Sequence, residues 1–111
     1  MEFAQDQMGD VAIVKLAGRL DSSAAQPAEE SFTQMLGSGT PHLAIDMSKL
    51  EYISSAGLRV LLVVAKKVQQ VEGKVVLFGL VPNVREVFSI SGFDRIFAIQ
   101  PGAAAAVAAV R

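Results

Sequence analysis

Apolar residues occur in short blocks along the chain, and their spacing differs from block to block. Residues 11–17 and 75–78 are apolar at nearly every position, which is typical of strands covered on both faces. Residues 55–72 instead show the three-and-four spacing of one helix face. The residues of that predicted face are Leu58, Leu61, Leu62, Ala65 and Val68. The pattern therefore predicts buried strands that alternate with amphipathic helices.

Glycine and proline separate most of these blocks. Gly9 and Asp10 divide the first two predicted strands, and glycine there suits the positive φ of a type II′ hairpin turn. Residues 37–41 and 48–53 are predicted loops. The predicted strands are 3–8, 11–17, 42–47, 75–78 and 94–99, and the predicted helices after the first are 55–72, 82–92 and 101–111.

The start of the first predicted helix is ambiguous. Asp21, Ser22 and Ser23 are all suitable N-caps. Pro27 argues for a later start, because proline costs about 3 kcal/mol in a helix interior and is tolerated in the first turn. We therefore place the start between Ser23 and Ala25 and the end near residue 36.

This order of elements predicts an α/β fold. Strands alternating with helices of this length imply a mostly parallel sheet of four to five strands, joined by right-handed crossovers. The first strand pairs through a hairpin and is therefore an antiparallel edge. About four helices are expected, the last of them in the alanine-rich stretch 101–111, since alanine is the best helix former. No linker interrupts the sequence, so residues 1–111 form a single predicted domain.

Composition excludes several classes of function. The chain has 111 residues, of which 51% are hydrophobic, and its 10 basic and 11 acidic residues give a net charge of -1. Such interleaved charges argue against a nucleic-acid-binding surface. With no cysteine there are no disulfides or thiolate sites. Because no apolar run approaches the roughly 18 residues that span a bilayer, and the first residues do not resemble a signal peptide, we expect a soluble, cytoplasmic protein without membrane insertion.

The candidate chemistry lies at Ser54 and Ser55, between an apolar strand and the longest predicted helix. Hydroxyls at this place lie beside unpaired backbone N–H groups and the positive end of the helix macrodipole. Three roles fit: a simple N-cap, a site that binds phosphate, or a serine that is itself phosphorylated. The spacing alone favours capping, because hydroxyls at helix starts are common for that reason.

Three separated motifs make the chain similar to a known family. They are G-R-L-D at residues 18–21, L-A-I-D-M-S-K-L-E-Y-I-S-S-A-G-L-R-V-L-L at 43–62, and G-K-V-V-L-F-G-L-V-P-N-V-R-E-V-F-S-I-S-G-F-D-R-I-F at 73–97. Together they closely resemble the STAS domain of bacterial anti-sigma factor antagonists. The resemblance implies a non-enzymatic switch protein that regulates transcription. Unphosphorylated, it binds an anti-sigma factor that is also a GHKL-type serine kinase; phosphorylated, it is released, and a PP2C-type phosphatase resets it.

The family's phosphoacceptor is the first serine of a D-S-S/T-G-L motif, and Ser55 occupies that position. Gly57 and Leu58 match the motif, and Gly57 is expected to leave room for a docking kinase. Ser54 replaces the usual aspartate and Ala56 replaces the second hydroxyl residue, so Ser54 is the one competing acceptor. The partner-binding residues implied by the resemblance are Asp21, Ser54, Ala56, Gly57, Leu58 and Arg59. Asp21 has a second interpretation, as a cap of the first helix only.

Two other functions compete with this hypothesis. A constitutive STAS binding module, such as the accessory subunit of a lipid-transporting ABC complex, is encouraged by the departures at Ser54 and Ala56. A small parallel-sheet enzyme is disfavoured, because the sequence has no phosphate-binding glycine loop and only one histidine, His42, without a clear catalytic partner. We predict no catalytic residue, no metal site and no cofactor.

Overall fold

A computed structural model describes residues 1–37 and 42–111, and it shows the predicted α/β architecture. Within these residues the strands follow one another across a five-stranded sheet in the order β1-β2-β3-β4-β5. β1 is antiparallel to β2, and every other pair is parallel. The strands are β1 Glu2–Met8, β2 Val11–Leu20, β3 His42–Ile53, β4 Lys74–Phe78 and β5 Ala98–Gln100. The α-helices are α1 Ser22–Leu36, α2 Ser55–Gln70, α3 Pro82–Ser91 and α4 Ala103–Val110.

The first two strands form the predicted hairpin. Met8 pairs with Val11 across the turn, and Gly9 has φ +62°, a conformation that glycine adopts without steric cost. β1 is almost wholly exposed, whereas β2 is mostly buried. The antiparallel edge strand is therefore confirmed.

The two faces of the sheet are covered unequally. Helices α1, α2 and α3 pack on one face, where the large fully buried side chains include Phe32 and Phe88. Phe93 and Phe97 pack with their ring centroids 6.2 Å from that of Phe88. On the other face α4 covers a smaller cluster. That cluster contains Val11, Ile13, Ala44, Val76, Phe78, Ala106, Val107 and Val110.

The predicted loop at residues 48–53 is wrong, because β3 continues through it. β2 and β3 remain paired up to Leu20 and Ile53, with register shifts between Lys15 and Ala17 and between Gly18 and Arg19. Such bulges break the strict two-residue alternation that identifies a strand in sequence. The extended strand matters for the site, because it brings the ends of β2 and β3 together.

The start of α1 also differs from the prediction. The helix begins at Ser22 with Asp21 as its N-cap, so that Pro27 lies inside the helix and beyond the first turn. The Asp21 carboxylate accepts the N–H groups of Ser23 and Ala24, which stabilises the earlier start. Pro27 itself is exposed.

The buried face of α2 is rotated from the predicted one. Leu58, Leu61 and Val68 are buried as expected, but Leu62 and Ala65 are only half-buried, and Val60 and Val64 complete the face. The helix ends at Gln70, before Glu72.

Two later elements are shorter than predicted. In place of the strand predicted at 94–99, the structure has a 3-10 turn, Phe93–Arg95, followed by the short strand β5, Ala98–Gln100. The terminal helix α4 occupies the alanine-rich stretch. The predicted loop at 37–41 falls, apart from Gly37, outside the described residues.

Candidate functional site

The turn between β3 and α2 is built around Ser54, the N-cap of α2. Its Oγ accepts the N–H of Gly57 at 3.1 Å and donates to the carbonyl oxygen of Leu20 at 3.3 Å. The Ser54 backbone N–H donates to the same Leu20 carbonyl at 3.0 Å. Ser54 therefore connects the start of α2 to the end of β2, and its hydroxyl is occupied by these bonds.

Gly57 lies in the first turn of α2 and is buried. A Cβ at this position would lie 2.6 Å from the Leu20 carbonyl oxygen and 2.9 Å from Cγ1 of Ile53, closer than real Cβ contacts. Glycine is therefore required by the packing of α2 against the strand ends. The expected role of Gly57, to leave room for a docking kinase, is corrected: the space that its missing side chain leaves faces the interior.

Ser55 is the first residue of α2, and its side chain is exposed. Its hydroxyl makes no hydrogen bond to any part of the chain that the structure describes. Arg59, one helical turn later, is also exposed, and Ala56 is half-buried between the two helices. The two adjacent serines thus have opposite environments: Ser54 is bonded on both sides, and Ser55 is open to solvent.

Asp21 caps α1 in the same region. One carboxylate oxygen accepts the Ser23 hydroxyl at 2.7 Å and the N–H groups of Ser23 and Ala24 at 3.1 Å each. The Ser23 hydroxyl and the Ala24 N–H lower the pKa of Asp21 below its ordinary value, and the charge of Arg19 acts in the same direction. Asp21 is therefore ionised at neutral pH.

The parallel pairing of β2 and β3 brings the two caps together. Leu20 pairs with Ile53, so the residues that follow, Asp21 and Ser54, lie side by side at one end of the sheet. A groove of about 180 Å³ runs between the two helices from this end. It is lined by Ala25, Gln26, Glu29, Ala56, Arg59 and Val60.

The predicted partner-binding residues divide into two groups. Asp21, Ala56 and Arg59 lie at the surface near Ser55, whereas Gly57 and Leu58 are buried in the core. Ser54 lies between the two groups, half-buried and with its hydroxyl bonded to Leu20 and Gly57. The sequence analysis missed the Leu20 carbonyl, on which the turn is built. No side-chain pattern identifies a backbone acceptor 34 residues away from Ser54 in sequence.

The described residues, 1–37 and 42–111, offer neither a metal site nor a membrane-spanning helix. They contain no group of three or more His, Asp or Glu side chains placed to hold a metal ion. No helix among them is long and apolar enough to cross a bilayer.

The sequence model of the STAS domain family matches residues 3–106, which is nearly the whole chain. The chain belongs to the STAS domain family. This chain is 41% identical over 111 residues to BtrV of Bordetella bronchiseptica. The name of BtrV provisionally describes BtrV as an anti-sigma factor antagonist. That match covers 100% of this chain and 96% of the relative.

Solved structures agree with the family assignment. An anti-sigma factor antagonist of Mycobacterium paratuberculosis has the same STAS fold with a TM-score of 0.90 and 25% identity, covering 99% of this chain and 93% of that one. A Thermotoga maritima protein, provisionally described by the same function, reaches a TM-score of 0.92 at 25% identity, covering 98% and 94%. The names of these relatives are those of anti-sigma factor antagonists.

Proposed function

We propose that this STAS protein is an anti-sigma factor antagonist whose binding is switched by phosphorylation of Ser55. The observation that carries the proposal is the contrast at the start of α2. The Ser55 hydroxyl is exposed and unbonded within the described residues, while the neighbouring Ser54 hydroxyl is bonded to Leu20 and Gly57. The names of the relatives support the general function.

A partner that covers Ser55 also covers the surface around it. Asp21, Ala56, Arg59 and the groove between α1 and α2 surround the hydroxyl. A phosphoserine carries about -1.5 to -2 charges, and the partner then buries a poorly paired dianion. Mispairing one interface charge typically costs about 2–5 kcal/mol, and each 1.4 kcal/mol is a factor of about ten in affinity. Phosphorylation therefore weakens partner binding well over tenfold.

The fold tolerates the same charge. Phosphate at the first residue of α2 lies beside the positive end of the helix macrodipole, which favours negative charge. The packing that fixes the turn, between Gly57, Leu20 and Ile53, is internal and does not involve the Ser55 hydroxyl. The switch thus acts on the surface that a partner sees, and the domain beneath it stays folded.

Replacement of the family's aspartate by Ser54 is compatible with this mechanism. Ser54 retains the capping oxygen that α2 requires, as its bond to Gly57 shows. What is lost is one negative charge next to the phosphoacceptor. The carboxylate that remains beside the turn is Asp21, whose negative charge is stabilised by its own hydrogen bonds.

Phosphorylation is tested with the GHKL-type serine kinase of the same organism that binds this protein. The wild type, Ser55→Ala and Ser54→Ala are each incubated with the kinase and Mg-ATP, and phosphate is located by mass spectrometry. We expect one phosphate on Ser55 in the wild type and in Ser54→Ala, none in Ser55→Ala, and removal of the phosphate by a PP2C-type phosphatase.

Controls separate this function from a constitutive binding module. The kinase must autophosphorylate or modify a known substrate, so that its activity is established. No phosphate on Ser55 with an active kinase, together with partner binding that is unchanged in Ser55→Ala and Ser55→Asp, contradicts the switch and supports the constitutive module. Phosphate on Ser54 alone contradicts the assignment of the acceptor.

A further inference from the structure

The outer face of the sheet is only half covered. α4 packs on the first halves of β2 and β3, up to Ile13 and Ala44. Beyond them, no helix of the described chain lies over the second halves of these strands. The side chains there that carry a positive charge or an exposed aromatic ring are Lys15, Arg19, Lys49 and Tyr52, which we call the basic patch.

Arg19 and Tyr52 form the end of the basic patch nearest the helix starts. They are paired neighbours on β2 and β3, and the Arg19 guanidinium lies over the Tyr52 ring, 4.2 Å from its centroid. Tyr52 is 40% exposed, and Arg19 is exposed as well. Stacking of this kind restricts a long arginine side chain, so that less conformational entropy is lost when it binds.

The hydrogen-bond donors of Arg19 are not used within the described part of the protein. Across residues 1–37 and 42–111, Arg19 makes no side-chain hydrogen bond and no ion pair within 4 Å. Stacking uses the face of a guanidinium and leaves its edge free for two parallel hydrogen bonds to a carboxylate. The pair therefore presents an ordered cation whose donors meet no acceptor among the residues that the structure describes.

The basic patch is continuous with the surface around Ser55. Arg19 lies two residues before Asp21, and its charge contributes to lowering the pKa of that carboxyl. Tyr52 lies two residues before Ser54, and the intervening residues Leu20 and Ile53 are paired. A protein that covers the Ser55 turn thus reaches Arg19 without crossing any other element.

We propose that Arg19, ordered by the Tyr52 ring, binds a carboxylate of the anti-sigma factor partner and extends the docking surface onto the outer face of the sheet. This inference rests on the proposed function. It concerns a contact of Arg19 that the unphosphorylated protein makes, and the contact does not involve the Ser55 hydroxyl. Arginine and tyrosine are among the residues that most often dominate binding energy at interfaces.

The cations of the basic patch lie among carboxylates of the same chain. Lys15, Arg19 and Lys49 contribute three positive charges; the carboxylates of Glu2 and Asp46 lie beside the two lysines, and the Asp21 carboxylate interacts with the charge of Arg19. One oxygen of Asp46 already accepts the Ser48 N–H at 2.9 Å. Because these charges largely balance, it is the unused hydrogen-bond donors of Arg19, and not a net charge of the patch, that favour a carboxylate of the partner.

The test measures affinity of the unphosphorylated protein for its GHKL-type anti-sigma factor by isothermal titration calorimetry. We expect Arg19→Ala to weaken binding at least about tenfold and Arg19→Lys to recover only part of the loss, because lysine lacks the planar pair of donors. Tyr52→Phe keeps the ring and binds within about twofold of the wild type, and Tyr52→Ala is weaker. Arg85→Ala, an exposed arginine on α3, is the matched control and leaves affinity unchanged.

A double-mutant cycle identifies the carboxylate. Each exposed Asp or Glu of the partner is replaced by Ala. For one of these partner variants, Arg19→Ala should cause no further loss of affinity. Thermal melting of every variant verifies that the fold is retained, and Arg19→Lys provides a conservative second variant. Equal affinity of Arg19→Ala and wild type, or absence of coupling to every partner carboxylate, overturns this inference alone. Failure of the wild type to bind overturns the proposed function instead.

Discussion

The two helix starts that meet at this end of the sheet are stabilised in different ways. α1 begins with a surface carboxylate, Asp21, that accepts three hydrogen bonds and depends on its negative charge. α2 begins with a neutral hydroxyl, Ser54, and with the close packing of Gly57 on Leu20. Because α2 needs no charge at its start, the exposed Ser55 can gain one without loss of the structure that positions it.

The strongest test of this comparison is Gly57→Ala. The added methyl group meets the Leu20 backbone at 2.6 Å, and overpacking of this kind costs about 1–3 kcal/mol in the free energy of unfolding. Urea denaturation followed by circular dichroism measures the loss. Gly102→Ala is the control, since a Cβ there meets nothing within 4 Å, and we expect a smaller loss. Equal stability of Gly57→Ala and wild type contradicts the packing of α2 on β2.

Ser54→Ala tests the hydrogen-bonded half of the same start. Removal of an N-cap hydroxyl costs about 1 kcal/mol, and here it also removes the bond to Leu20. Ser54→Asp keeps a capping oxygen and should recover most of the stability in the same urea titration. If Ser54→Ala and Ser54→Asp are equally stable, the capping role of this side chain is wrong.

The start of α1 should differ from that of α2 in its response to acid. The folded-state pKa of Asp21 is lowered from 3.8, so its ionised form stabilises the fold above that pH, and the contribution is lost as pH falls through the folded pKa. Asp21→Asn keeps a good cap and removes the charge. We expect its melting temperature to be a few degrees below wild type at pH 7, with the difference shrinking below about pH 4.

The melting temperature of Ser54→Ala should lie below that of the wild type by an amount that does not vary over this pH range, because the serine hydroxyl that it removes does not titrate. Melting curves of both variants between pH 7 and pH 3 make the comparison. If the melting temperature of Asp21→Asn differs from that of the wild type by the same amount at every pH, the negative charge of Asp21 does not stabilise the start of α1.

The smallest effect on stability is expected at Ser55. Ser55→Ala and Ser55→Asp should each remain within about 0.5 kcal/mol of wild type, as at other exposed positions without a partner. Ser55→Asp should nevertheless weaken binding of the anti-sigma factor, since a charge then lies in the contact. Calorimetry and urea denaturation on the same samples measure both. A large loss of stability with binding retained contradicts a surface switch.

The sequence predicted the architecture because burial on both faces and helical spacing are local properties. The hairpin at Gly9, the parallel sheet and the start of α2 at Ser55 are confirmed. What was missed depends on contacts distant in sequence. The second half of β3 follows bulges that spoil the alternation, and the packing of Gly57 depends on Leu20.

The site was predicted only in part for the same reason. The resemblance to the STAS family implies Ser55 as the acceptor, but the sequence does not distinguish its environment from that of Ser54. That difference arises from one carbonyl group, that of Leu20, at the end of a neighbouring strand. Pro27 shows the converse: its local cost predicted a later start for α1, and the hydrogen bonds of Asp21 outweigh it.

The far end of the molecule bears on how binding experiments are set up. Arg111 forms an ion pair with Asp10 at 3.3 Å, and the Val110 carbonyl oxygen lies 2.8 Å from Nδ1 of His42. These residues lie where β2 and β3 begin, about 30 Å of strand away from Leu20 and Ser54. A fluorophore or surface tether attached after Arg111 therefore leaves the Ser55 turn and Arg19 free to meet a partner, whereas attachment through the lysines of the outer face does not.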